Sequence, residues 1–244
     1  MLDECETNPH MFKLILLEKM NPFFYNSFLR LKIDNRLDND LIRLFAKADI
    51  IFFKSGRDLQ AKAFSLIDGY LKNNSKEFFK ESLIKECKKA DTAKFSIDTL
   101  LRDAYNRQYF HYVFFEQNCQ DMDIEALKKL IPIKNKEITQ EKEHIIPGNV
   151  YRQKDSKIMQ NLGFESFDEM EIYLNNYGNL LSLEKALNSS ARDKDLLGKE
   201  KDYKESELPF VRRFDVKNFN KKALIKRNEE AEEWLKKEFF KDFL

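Results

Sequence analysis

The chain has three histidines, His10, His111 and His144, and one of them stands among other groups that could do chemistry. His10 lies in a polar N-terminal stretch and His111 inside an aromatic run, places that suit structural or exposed side chains. His144 sits in Glu143-His144-Ile145-Ile146-Pro147, a short β-branched run that ends at a turn. Adjacent residues of a strand point to opposite faces. Glu143 and His144 can therefore serve one site only if the strand end is irregular, which the following proline favours. Further on, Gly178-Asn179-Leu180-Leu181-Ser182-Leu183-Glu184-Lys185-Ala186-Leu187-Asn188 sets two asparagines nine residues apart across an expected strand-to-helix junction. The first can hydrogen-bond backbone groups of the loop that carries the histidine, and the second can offer its carbonyl oxygen to a hard cation. Without those asparagines, His144 reads as a satisfied histidine in a turn.

Other chemistries are absent from the sequence. Cys5, Cys87 and Cys119 are scattered and form no CxxC pair, which suits reduced thiols and removes zinc-knuckle and zinc-ribbon readings. There is no GxxxxGK[ST] loop, GxGxxG turn, HExxH helix or GxSxG elbow. With 43 basic and 42 acidic residues, the net charge of +1 gives no global pull toward nucleic acid or membrane. The charge is uneven, however: residues 185–227 carry an excess of +6 and residues 228–244 an excess of −3. Such a basic segment suits either a phosphate backbone or an ordinary solvated helix face. The longest run without Asp, Glu, Lys or Arg is the 12 residues from Ile172 to Leu183, short of the roughly 20 that a membrane span needs. The acidic start, MLDECETNPH, does not resemble a secretory signal, and the expectation is a soluble, cytoplasmic protein.

The elements that must hold these residues are mostly helices. Six glycines and five prolines among 244 residues are too few turn-formers for a many-stranded sandwich. Apolar residues recur at helical spacing from Met11 to about Ile133. A break or kink is expected at Asn21-Pro22, with helices over Asp38–Phe53, Arg57–Leu71 and Ser75–Lys89. Ser96–Gln117 reads as one long aromatic helix, better explained by core packing than by base stacking. A strand or hairpin is expected over Ile138–Ile146, and a short strand over Asn179–Leu183. A helix with a Ser166/Glu169 capping box is expected over Ser166–Tyr177, and a last charged helix over Asn218–Leu244. The pattern changes near residue 134, giving a helical domain over 1–133 and a second domain over 134–244.

The order EHIIP, then GNLLSLEKALNSS, then Lys199 and Tyr203, resembles the HNH nucleases, whose site is a ββα-metal fold. It is most similar to the HNH-type C-terminal domain of the GmrSD-like modification-dependent restriction enzymes. There the pattern is roughly acid-His-Ile-x-Pro, Gly-Asn-Leu with Asn-Ser following, then Lys and Tyr. The nine-residue asparagine spacing also resembles that in the HNH domain of RNA-guided CRISPR nucleases. Ile225-Lys226-Arg227 ahead of Trp234 resembles the closing helix of the GmrSD-like domain. The motifs span about residues 138–235.

This resemblance implies a mostly α fold with a small ββα-metal (HNH) unit in the C-terminal half. It implies metal-dependent hydrolysis of phosphodiester bonds in DNA, serving restriction or phage defence. His144 would be the general base. Glu143 and Asn188 would hold one Mg²⁺ or Mn²⁺, and Asn179 would orient His144 by pinning its loop. Arg192 and Lys199 would contact the DNA backbone, unless they are plain helix surface. The chain departs from the pattern in two places. Gly148 replaces the usual Gln after the proline, and 35 residues separate His144 from Asn179, requiring an inserted lobe over about 149–176. Nothing in the sequence resembles the ParB-like nucleotide-hydrolysing domain that accompanies such enzymes, which is therefore expected as a separate domain or subunit. The competing expectation is a non-catalytic nucleic-acid-binding or protein-interaction module on an HNH scaffold.

Overall fold

Polar caps followed by apolar runs set the helices of the first half. In the computed structural model, residues 7–17, 22–55, 60–89, 95–120, 122–131, 133–134, 137–192 and 194–244 are described. Asn8 caps α1 (Pro9–Lys13) by accepting from the His10 and Met11 N–H groups. Helices α2 (Pro22–Ile33), α3 (Asn39–Ser55), α4 (Gln60–Asn73) and α5 (Lys76–Lys88) follow. Asp38 opens α3 by accepting from Leu41 N–H at 3.0 Å, and Ser75 opens α5 by accepting from Phe78 N–H at 3.2 Å. Cys5, Asn21 and the Arg57 helix start lie outside the described residues.

The chain packs as two units, residues 1–99 with 234–244, and residues 100–233. In the first, Phe45 of α3 meets Phe28 and Phe79 at centroid distances of 6.3 and 5.8 Å, and Tyr70 stacks on Phe79 at 5.3 Å. Residue 134, where the sequence pattern shifts, lies inside the second unit.

In place of the expected single helix Ser96–Gln117 there are three pieces: α6 (Ile97–Arg102), a 3-10 turn (Ala104–Asn106) and α7 (Phe110–Asn118). The cause is tertiary. The Lys142 ammonium donates to the Tyr105 and Arg107 carbonyls at 3.1 and 2.6 Å, and Tyr105 N–H donates to the Asn175 carbonyl at 3.2 Å. Backbone groups that a continuous helix would pair internally go to another part of the chain. Helix α7 is buried from Phe110 to Glu116, the central core helix expected from its aromatics.

After α8 (Ile124–Leu130), residues Ile133–Lys134 (β1) pair with Glu137–Ile138 (β2). Gln140–His144 (β3) pairs antiparallel with Leu180–Glu184 (β4), His144 opposite Leu180. Between them lie α9 (Gly148–Arg152), α10 (Ser156–Asn161) and α11 (Phe167–Leu174). Ser166 caps α11 as expected, accepting from Glu169 N–H at 3.1 Å. The reciprocal arm of the box lands one residue early, on Glu165 N–H at 2.9 Å. Helix α12 (Lys185–Ala191) leaves β4 directly, and α13 (Leu196–Glu205), α14 (Pro209–Arg212) and α15 (Lys221–Trp234) complete the unit. The expected last helix ends at Trp234 and gives way to a π-helical turn over Leu235–Phe239. The protein is thus mostly helical, with its two short strand pairs in the second unit, and no helix among the described residues is long and apolar enough to cross a membrane.

Candidate active site

Strand β3 sends its side chains alternately to two sides. Lys142 and His144 meet Tyr105, while Glu141 and Glu143 meet α12 and α13 through Asn188 and Lys199. Both sets nevertheless open onto one cleft of about 530 Å³, because His144 ends the strand and the chain turns at Pro147 into α9. Its lining comprises Tyr105, Glu141, Lys142, Glu143, His144, Gly148, Arg152, Asn188, Ser189 and Arg192. The structure therefore brings together four of the six residues singled out by sequence: Glu143, His144, Asn188 and Arg192.

Asn179 lies beneath the cleft, fully buried. Its Oδ1 accepts from Ile146 N–H at 2.8 Å, and its Nδ2 donates to the Leu174 and Ile146 carbonyls at 2.9 and 3.3 Å. Its own carbonyl accepts from Ile145 N–H at 2.9 Å. The side chain thus satisfies both backbone groups of Ile146 and the backbone carbonyl satisfies Ile145 N–H, so Asn179 fixes the loop that follows His144. The preceding position must be glycine. A Cβ on Gly178 would lie 2.4 Å from the Leu224 carbonyl of α15. Arg227 of the same helix, half-buried, donates to the Gly178 and Leu180 carbonyls at 2.6 and 3.1 Å and so ties α15 to the start of β4.

His144 Nε2 lies 3.2 Å from Asn175 Oδ1. With an amide oxygen as its partner, Nε2 carries the proton and Nδ1 is the basic atom. The imidazole rests against the Tyr105 ring, centroids 4.2 Å apart. Burial holds the His144 pKa below the ordinary histidine value. The charges of Lys199 and Arg152 act in the same direction, against the Asn175 hydrogen bond. The ring is neutral near pH 7, the form a general base needs.

Glu143 is buried, and Lys199 is its counterion. The Lys199 ammonium bonds Glu143 Oε1 and the His144 carbonyl, and the Tyr203 hydroxyl donates to the same Oε1 at 3.1 Å. Burial pushes the Glu143 pKa up, and Lys199 and Tyr203 oppose that shift. This placement corrects the reading of Lys199 as a DNA-backbone contact on the helix after Asn188. It stands on α13, fully buried, with its charge spent on the strand. Arg192, at the end of α12, is exposed on the cleft rim, as is Arg152.

Asn188 donates from Nδ2 to Glu141 Oε2 at 2.7 Å. No group of three or more His, Cys, Asp or Glu side chains with metal-binding geometry occurs among the described residues. The cleft lining instead includes one carboxylate, Glu143, and one amide, Asn188, beside Glu141, with room for water. Carboxylate and amide oxygens with water fit Mg²⁺ or Mn²⁺, which keep much of their hydration, and the lining has no cysteine for a thiolate-bound metal.

Tyr105, Glu141 and Arg152 on the cleft, Asn175 behind His144 and Tyr203 on Glu143 join the residues singled out from the sequence. Glu141 was legible, two residues before Glu143 on one strand face. Tyr203 was too, four residues after Lys199 on one helix face. Asn175 and Tyr105 carry no sequence signal.

Residues 89–233 match the family model of the GmrSD restriction endonucleases, C-terminal domain. The match takes in more than half of the chain and every residue of the cleft, and the chain belongs to that family. Its second packing unit is accordingly a nuclease domain of the restriction-endonuclease type. No curated protein and no solved structure shows significant similarity to the chain.

Proposed function

We propose that the cleft is an HNH-type ββα-metal site that hydrolyses phosphodiester bonds of DNA with one divalent cation, in restriction of foreign or modified DNA. The observation that carries this reading is the convergence of Glu143, His144 and Asn188 on one cleft, built from two antiparallel strands and the helix that leaves the second. Bound at Glu143 and Asn188, Mg²⁺ or Mn²⁺ supplies charge stabilisation to the phosphate and the leaving oxygen.

The chain's own residues do the rest. His144 Nδ1 takes a proton from the attacking water, and Asn175 steadies the ring by accepting from Nε2–H. Asn179 holds the loop that aims it. Lys199 and Tyr203 bind Glu143 Oε1, which leaves Oε2 for the cation. Arg192 and Arg152 present guanidinium groups at the rim, suited to phosphate oxygens. Choice of target belongs to a ParB-like nucleotide-hydrolysing domain or subunit acting with this one.

Nicking of supercoiled plasmid tests the reading. Wild type cleaves with Mg²⁺ or Mn²⁺ and stops with EDTA, and His144→Ala does not cleave. Cleavage by both proteins, or in EDTA, overturns it. DNA binding without cleavage under any metal favours a non-catalytic module.

A further inference from the structure

We infer that Glu141 is a positioning residue, holding Asn188 so that its carbonyl oxygen faces the cation; the inference rests on the metal-site reading above. Glu141 precedes Glu143 by two residues on β3, so both carboxylates leave the same side of the sheet. Both line the cleft with Asn188. Glu141 Oε2 accepts from Asn188 Nδ2 at 2.7 Å across 47 residues of sequence. A carboxylate only accepts, so it selects the nitrogen end of the amide and turns the oxygen end away. The terminal torsion of an asparagine is otherwise broad and nearly two-fold. Without Glu141 the amide would present its NH₂ to the cation for part of the time, and an NH₂ group cannot be a ligand. Glu141 is itself steadied from the other side by Lys185, whose ammonium lies 3.7 Å from Oε1.

The test is Mn²⁺ binding to the full chain without DNA, read from the electron paramagnetic resonance signal of free Mn²⁺. It is applied to wild type, Glu141→Gln, Glu141→Ala, Asn188→Ala, Glu143→Gln and the Glu141→Ala/Asn188→Ala double variant. Glutamine can donate as well as accept, so it keeps a contact to Asn188 without fixing which end of the amide it takes, whereas alanine discards the contact altogether. Glu141→Ala should weaken binding about tenfold, the usual effect of losing an outer-shell partner, and Glu141→Gln should weaken it by about threefold, since the amide it turns is held in the ligating orientation for only part of the time. In the Asn188→Ala background, removing Glu141 should cost nothing further. Glu141 is part-exposed, so its variants keep the fold, checked by their melting temperatures.

Wild-type affinity in Glu141→Ala overturns the inference. So does a Glu141→Ala/Asn188→Ala double variant markedly weaker than Asn188→Ala, because Glu141 would then act on the cation by its own charge and not through Asn188. Either result, with binding still lost in Glu143→Gln, leaves the metal site standing. A wild-type protein that takes up no Mn²⁺ overturns the metal site and this inference together.

Discussion

Lys199→Met would remove the counterion of a buried carboxylate while keeping most of the lysine stem. Lys199 and Glu143 expose 0% and 3% of their side chains, so water cannot replace the lost ammonium. Only the Tyr203 hydroxyl, 3.1 Å from Oε1, remains as a partner among the contacts described above. Breaking a buried ion pair from one side costs about 3–5 kcal/mol. A unit of this size melts about 2–4 °C lower per kcal/mol, so the transition should drop by roughly 6–20 °C. Lys199→Met paired with Glu143→Gln removes the orphaned charge and should recover much of the loss. The coupling between the two sites should then be on the order of 3 kcal/mol. The assay is urea unfolding of wild type, both single variants and the double variant, followed by circular dichroism. A Lys199→Met stability within about 0.5 kcal/mol of wild type, the range of plain surface substitutions, would refute the buried pair. Strict additivity of the two substitutions would refute it as well.

Other outcomes follow from the same geometry. Asn179→Ala strands the Ile146 N–H and should cost about 1–3 kcal/mol; it should also slow cleavage more than it weakens metal binding, and equal losses in both would deny Asn179 its hold on the His144 loop. His111, buried in α7 with Nδ1 3.0 Å from Ser182 Oγ, has its pKa drawn down to about 3 by burial and by the Lys142 charge. Its stabilisation is present above the unfolded pKa of about 6.5 and is lost as pH falls toward 3, about 2 kcal/mol by pH 5. His111→Gln should therefore lose about 2 kcal/mol less than wild type between pH 7 and 5 in urea unfolding, and parallel losses would contradict the shift. Arg192→Ala should weaken metal-free DNA binding, measured by anisotropy in EDTA, and lower the salt slope by about one; an unchanged slope removes Arg192 from the interface.

The residues nearest the chemistry were legible because strand, turn and helix signals fell in the right order around them. Pro147 marked the end of β3, Ser166 the start of α11, and the run from Leu180 the strand that pairs with it. Tertiary effects were not legible. Lys199 lies among Glu200, Lys201 and Lys204 in a helix that reads as solvated surface, and its partner is 56 residues away. The aromatic run from Tyr105 to Phe115 reads as one helix because the lysine that claims the Tyr105 and Arg107 carbonyls sits on β3. That same break turns Tyr105 toward His144, so the feature hidden from sequence also builds a wall of the cleft.

Chemical rescue of His144→Ala tests the account's central claim most directly. The variant should bind Mn²⁺ and DNA as wild type does yet fail to nick plasmid, and added imidazole should restore metal-dependent nicking in proportion to its concentration. A His144→Ala protein that cleaves at the wild-type rate without imidazole would contradict the account.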